Sequence, residues 1–158
     1  MGLEIERKFL VTGTAWQVLA AGVLAGVLTR QGYLSSAAER TVRVRIAGDQ
    51  GFLTVKGKSR GLSRAEFEYA IPVEDAAAML YGLCEKPLIE KTRYLVPFGA
   101  HTWEVDEFHG ANAGLVVAEV ELASADDEPA LPPWVGREVS LDPRYFNANL
   151  VKNPFTTW

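Results

Sequence analysis

Thr41-Val42-Arg43-Val44-Arg45-Ile46 is the stretch from which the fold can be read. Apolar residues alternate with arginines, the two-residue period of a β-strand whose neighbouring side chains point to opposite faces. Within Arg40–Ala47, Val42, Val44 and Ile46 share one face, and Arg43 and Arg45 share the other. Two guanidinium groups side by side repel each other. A face that is merely solvated usually intersperses Thr, Ser and Gln among its charges, whereas here Thr41 is followed on its face by two arginines in succession.

The same doubling recurs outward in both directions. Glu4, Glu6 and Lys8 are in phase within Leu3–Val11, Lys56 and Lys58 within Gly51–Lys58, and Glu66 and Glu68 within Ser63–Pro72. Lys91 and Arg93 are in phase within Ile89–Val96, Glu104 and Asp106 within His101–Glu107, and Glu119 and Glu121 within Leu115–Leu122. Gly26–Ser35 is a further strand-like segment. The opposite faces carry Ile5 and Phe9, Leu53 and Val55, Phe67, Tyr69 and Ile71, Tyr94 and Val96, Val105, and Val120 and Leu122. Arg7 and Glu107 are the main exceptions.

Any one doublet reads as the wet face of an antiparallel sheet. Repeated on strand after strand, same-sign doublets need something to neutralise them. Interleaved acidic and basic strands, metal ions on the carboxylates, or a polyanion on the bases could each do so. The simplest geometry is a closed barrel with its charges inside, since closure also removes the sheet edges. The expected fold class is therefore mainly β (α+β): an eight-stranded antiparallel β-barrel tunnel with a charged lumen and peripheral helices. About eight strands enclose a space that side chains or one small ligand can fill. The apolar outer faces then need cover, from helices and from a second copy in a homodimer.

Helical patterning is scarcer. Thr14 to Ala21 reads as a short helix with Thr12 or Thr14 as its cap, and Glu74 to Cys84 as a better one, acidic in its first turn. Asp142-Pro143 opens a third, expected to run to Leu150 and brace one tunnel end. Gly48-Asp49-Gln50-Gly51 reads as a tight hairpin turn.

Composition bounds the rest. The 158 residues suit one domain, residues 1–158, large enough for a core without disulfides. Sixteen Lys and Arg against 20 Asp and Glu give a net charge of −4, which argues against a nucleic-acid partner. One Cys and two His exclude a disulfide framework and make a cysteine- or histidine-based metal site a poor fit. Cys84 reads as a buried inert thiol, His101 and His109 as exposed loop residues, and the four tryptophans as packing. Acidic residues stand where a secretion signal would be basic, and the apolar run of residues 18–28 is too short to span a bilayer. A cytoplasmic location with no membrane partner is the expectation.

The motifs have a collective order. Glu4-Ile5-Glu6-Arg7-Lys8 is followed by Gln31-Gly32-Tyr33-Leu34, Thr41-Val42-Arg43-Val44-Arg45, Thr54-Val55-Lys56-Gly57 and Arg64-Ala65-Glu66-Phe67-Glu68. Then come Lys91-Thr92-Arg93-Tyr94, Glu104-Val105-Asp106-Glu107-Phe108, Ala118-Glu119-Val120-Glu121-Leu122 and the tail from Asp142 to Leu150. In this order they resemble the CYTH, or triphosphate tunnel metalloenzyme, superfamily, across essentially the whole chain. The first string matches that family's ExExK signature.

The resemblance implies an eight-stranded tunnel enzyme that acts on triphosphates with Mg²⁺ or Mn²⁺. It assigns Glu4, Glu6, Glu119 and Glu121 as metal ligands. Arg43, Arg45, Lys56, Lys91 and Arg93, with Lys58, become substrate-binding groups, for which arginine forks and lysine point charges are apt. Glu66, Glu68 and Asp106 are candidates for a second metal or for internal salt bridges. Lys8 and Tyr33 are implied as a catalytic pair. Short bacterial members most resemble inorganic triphosphatases, so tripolyphosphate is the expected substrate. The alternatives are a thiamine triphosphatase, a nucleotide triphosphatase, a class IV-type adenylate cyclase, or a non-catalytic polyphosphate-binding module.

Overall fold

A computed structural model describes residues 2–21 and 26–158. Residues 22–25, the middle of the apolar run noted above, lie outside the described part. In chain order the elements are β1 (Gly2–Val11), α1 (Ala15–Ala21), β2 (Val27–Ala37), β3 (Arg40–Ala47), β4 (Gln50–Gly57) and β5 (Ser63–Ile71). They continue with α2 (Val73–Gly82), β6 (Ile89–Phe98), β7 (His101–Phe108), β8 (Val116–Glu121), β9 (Val135–Glu138) and α3 (Asn147–Lys152).

All pairings are antiparallel, in the order β5-β4-β3-β2-β6-β7-β8-β1, and β5 pairs back onto β1. The sheet is thus a closed eight-stranded barrel, the simplest geometry for the in-phase charges. The segments expected as strands agree with the observed ones to within two residues at each end. β3 and β4 form a hairpin in which Ala47 faces Gln50 across Gly48-Asp49, and Gly48 adopts φ +61°, a conformation glycine tolerates best.

β9 has no counterpart in the sequence reading. Its four residues are too few to show a period, and β1 supplies the template. One edge of β1 carries β8, while the other carries β5 against Gly2–Ile5 and β9 against Phe9 and Val11. Arg7 explains its exception here: it points out of the lumen and forks onto Glu138 of β9 at 2.8 and 3.0 Å.

Helices cover the apolar outer faces in two places. Ala76 and Leu80 of α2, with Cys84, bury Val44 and Ile46 of β3. Trp16 and Ala20 of α1, together with Trp134, pack on Phe9, Val96, Trp103, Val105 and Val120. The hydroxyl of Thr12 bonds the Trp134 carbonyl at 3.1 Å, so it does not cap α1. Outside both clusters, Leu3, Phe67 and Tyr69 remain 57%, 50% and 58% exposed.

The segment from Asp142 is split rather than one helix. Asp142 caps a 3₁₀ turn, Pro143–Tyr145, by accepting from the Arg144 amide, as its Asp-Pro start foretold. Phe146 then takes an extended conformation and opens α3. Tyr145, Leu150 and Val151 pack with Tyr33, Ile89, Phe108, Leu115 and Val117, an apolar cluster that fastens this segment to β2, β6, β7 and β8. His101 begins β7 and lies 3.2 Å from Asp127, and His109 bonds Thr92 at 2.8 Å; both are half-buried rather than free in loops. Among the described residues no helix is long and apolar enough to cross a membrane.

Candidate functional site

The lumen holds a cavity of about 570 Å³. Glu4, Glu6 and Lys8 of β1, Tyr33 of β2, Arg43 and Arg45 of β3, and Lys56 of β4 line it, with Lys58 just beyond β4. Glu66 and Glu68 of β5, Lys91 and Arg93 of β6, and Glu119 and Glu121 of β8 complete the wall. Of the residues singled out from sequence, only Asp106 is absent from the wall; it lies wholly buried behind it. Arg64 and Glu104 also line the cavity and were missed as site residues. Arg64 is in phase with Glu66 and Glu68, and Glu104 with Asp106, so strand parity held the signal. Phe146 to Asn149 of the tail, expected to brace the tunnel but not singled out as site residues, also reach the cavity.

The acidic and basic strands interlock as ion pairs of unequal quality. Asp106 is the centre of the tightest. Arg93 forks onto it through Nε and Nη2, each at 2.8 Å, and Lys91 Nζ donates to it at 2.8 Å. Arg93 Nη1 also reaches Glu104 at 2.8 Å. Burial alone would push the Asp106 carboxyl up, but Lys91 and Arg93 outweigh that and hold it below its usual range. Burial likewise works against the Arg93 charge, and Asp106 and Glu104 overcome it. Lys91 pays for its depth: burial lowers it to about 8, despite Asp106.

A second group is looser. Glu68 Oε1 accepts from Arg45 Nη2 and Thr54 Oγ1, both at 3.0 Å, and lies 3.5 Å from Arg43 Nη2. The Nε donors of Arg43 and Arg45 are buried without a partner among the described residues. Burial and the neighbouring Arg43 lower Arg45 to about 10. On β1, Glu4 takes Lys56 Nζ at 3.1 Å and Arg64 Nε at 3.2 Å, and Lys56 lies 3.2 Å from Glu66. Glu66, Glu68 and Asp106 are therefore all engaged with bases.

The third group is acidic. Register brings Lys8 opposite Glu119 and Glu6 opposite Glu121. Glu119 lies 3.7 Å from Lys8 Nζ and 4.0 Å from Arg93 Nη2. Burial opposes its charge, but Lys8, Arg93 and Lys91 win and hold it well below the usual carboxylate range. Glu6 behaves oppositely: burial, then Glu119 and Glu4, push it well above that range. No ion pair to Glu6 occurs among the described residues. Lys8 Nζ donates to the Tyr145 carbonyl at 3.2 Å, while the buried Tyr33 hydroxyl accepts from Gln31 at 3.4 Å. Among the described residues no hydrogen bond joins Lys8 to Tyr33, the catalytic pair that the resemblance implies.

These carboxylates fit a hard divalent cation in kind, since such ions take oxygen ligands. Glu6 has Glu119 and Glu4 acting on it and, among the described residues, no ion pair to a base. Among the described residues, no three His, Cys, Asp or Glu side chains converge into a ready cage. An ion here would keep waters or take substrate oxygens, as Mg²⁺ usually does.

Comparison with known proteins agrees with this geometry. The family model described as the CYTH domain matches residues 2–151. A protein named inorganic triphosphatase from Acetivibrio thermocellus is 56% identical over 155 residues, covering 98% of this chain and 97% of that one. Another of the same name from Nitrosomonas europaea is 41% identical over 152 residues, covering 93% and 95%. The crystal structure of an inorganic triphosphatase superposes with TM-score 0.66 at 36% identity, covering 94% and 97%. A protein of Pyrococcus horikoshii shares the fold at 19% identity, with TM-score 0.59 and 78% and 80% covered. A closed barrel with its charges inward and a family match along nearly its whole length lead to one assignment: the chain belongs to the CYTH domain family.

Proposed function

We propose that this protein hydrolyses a triphosphate, with inorganic tripolyphosphate as the preferred substrate and diphosphate and phosphate as products. The observation that carries the reading is the division of one lumen into a basic wall and a buried acidic corner. Arg43, Arg45, Lys56, Lys91 and Arg93 offer converging cations to a polyanion, with Lys58 nearer the rim. Glu4, Glu6 and Glu119, with Glu121 beside them, offer oxygen donors to Mg²⁺ or Mn²⁺. The two curated relatives above carry the name inorganic triphosphatase.

In this reading Glu4, Glu6, Glu119 and Glu121 would hold a divalent metal, which would supply neutralisation of charge on the substrate. The chain's own groups do the rest. The arginines and lysines hold the phosphate chain extended, and Lys8 holds an oxygen beside the acidic corner. A water oxygen attacks the terminal phosphorus in line, a lumen carboxylate takes its proton, and the bridging P–O bond breaks. The charge left on diphosphate stays on the basic wall. Tyr33 acts by packing against Tyr145, whose carbonyl orients Lys8.

The test is phosphate release from tripolyphosphate, ATP and thiamine triphosphate, each with Mg²⁺ and with Mn²⁺. Tripolyphosphate is expected to have the highest kcat/KM, and Glu6→Gln to lower kcat by about 100-fold or more. No turnover with either metal would sink the reading, as would a Glu6→Gln variant indistinguishable from the parent. A cyclase would instead yield a cyclic nucleotide from ATP, and a binding module would hold tripolyphosphate for hours without cleaving it. The reading extends to one domain over residues 1–158, a cytoplasmic location, no nucleic-acid or membrane partner, and a homodimer through the uncovered outer face.

A further inference from the structure

Glu68 is paired poorly with its arginines, and in a specific way. One of its oxygens, Oε1, is shared by Arg45, Arg43 and Thr54. The other, Oε2, receives no hydrogen bond among the described residues. Meanwhile the Nε donors of both arginines are buried and, among the described residues, unmatched. A good arginine–carboxylate pair uses two parallel N–H···O bonds. Arg93 and Asp106 make such a pair within the same lumen.

Burial separates the two cases further. Asp106 has no exposed side-chain surface, so it cannot leave Arg93. The Glu68 side chain is 37% exposed and can swing into water. Orphaned buried donors are unfavourable, by about 1–3 kcal/mol for a typical group, and so mark an incomplete site. A phosphoryl group presents several oxygens arranged tetrahedrally around one centre. It can meet Nε and Nη of two neighbouring arginines at once, which one carboxylate oxygen cannot.

We infer that Glu68 is an internal counter-anion that occupies the place of a substrate phosphoryl group on Arg43 and Arg45, yields to the substrate, and returns to expel the product. The inference rests on the reading that these arginines bind phosphate. It makes Glu68 a positioning residue that sets affinity and release, with no contact to the reacting atoms. The acidic side chain weakens the grip of the empty lumen on anions. In exchange, diphosphate is not retained after cleavage, where release commonly limits turnover.

Calorimetric titration with tripolyphosphate and with diphosphate, in chelator-treated buffer, tests this apart from chemistry. Glu68→Gln and Glu68→Ala are compared with the parent and with Glu107→Gln, which removes the same charge from the outer face. Both Glu68 variants are expected to bind each anion about 3- to 30-fold tighter, with Glu107→Gln changing affinity less than about twofold. With metal and tripolyphosphate, the Glu68 variants should show a lower KM and a lower kcat together. Unchanged or weaker metal-free binding by the Glu68 variants overturns the inference. So does weakening confined to buffer with Mg²⁺, which would make Glu68 a metal ligand.

The parent protein supplies an arm that needs no variant. In a crystal structure with tripolyphosphate, Glu68 should have left Arg43 and Arg45 in favour of phosphate oxygens. Retention of both pairs overturns the inference. A parent protein that binds neither anion, with Mg²⁺ or without it, would instead sink the triphosphatase reading beneath it.

Discussion

At the residue scale the lumen is governed by which charges can leave their partners. Asp106 cannot, because it is wholly buried between Lys91 and Arg93. Removing one partner of a buried pair strands the other charge, at about 3–5 kcal/mol. Asp106→Asn should therefore lower stability by about that amount in urea denaturation. The sign with pH follows from its lowered pKa. Its stabilisation is present above the unfolded value of 3.8 and lost as pH falls through the lower folded value. The gap between parent and variant should accordingly shrink below pH 3.8.

Lys91 titrates in the opposite range. Burial lowers it to about 8, so the free protein loses this ammonium as pH rises past that value. If Lys91 grips phosphate, kcat/KM for tripolyphosphate should fall above pH 8. Lys91→Arg keeps the charge and should carry that limb to higher pH. A pH–rate profile that is flat through pH 10 in the parent would remove Lys91 from the binding wall. The parity of both residues was legible in the sequence. Their depth was not, since Lys91 and Lys58 look alike as in-phase lysines yet one is buried and the other exposed.

At the element scale, alternation gave the eight barrel strands because each is long enough to show a period of two. It missed β9, whose four residues depend on the free edge of β1. It also ran the tail as one helix, where an extended Phe146 divides a 3₁₀ turn from α3. The helices earn their place by covering strands. Leu80 of α2 is 2% exposed against the β3 outer face. Leu80→Ala should cost about 2–5 kcal/mol in the same denaturation assay. The cavity wall lies on the opposite side of β3, so KM for tripolyphosphate should stay within about twofold, additivity being the rule for sites that share no partners.

At the scale of the whole molecule, closure turns a nearly neutral sum into two opposed walls. The net charge of −4 excluded a generally basic surface, but it concealed a lumen where cations and carboxylates are sorted by strand. The outer surface is less complete. Leu3, Phe67 and Tyr69 form an exposed apolar stretch that neither α1 nor α2 reaches. A homodimer through this face should sediment at about twice 17.3 kDa and dissociate in Tyr69→Lys. A concentration-independent mass of 17.3 kDa would contradict it.

The sequence by itself determined which charges face the lumen, because side-chain parity is a local property of the strand. It also placed the chain in its family, through motifs whose order spans nearly its full length. Only the tertiary structure decided which charge meets which. Glu4 meets Arg64, 60 positions away, because β5 closes onto β1. Asp106 meets Lys91 and Arg93 through the register of β6 and β7, while Glu68 meets Arg43 and Arg45 across the intervening β4. Register, closure and depth arise from contacts between distant segments, so no local pattern carries them. They are what separate a clamped arginine from one left waiting for an anion.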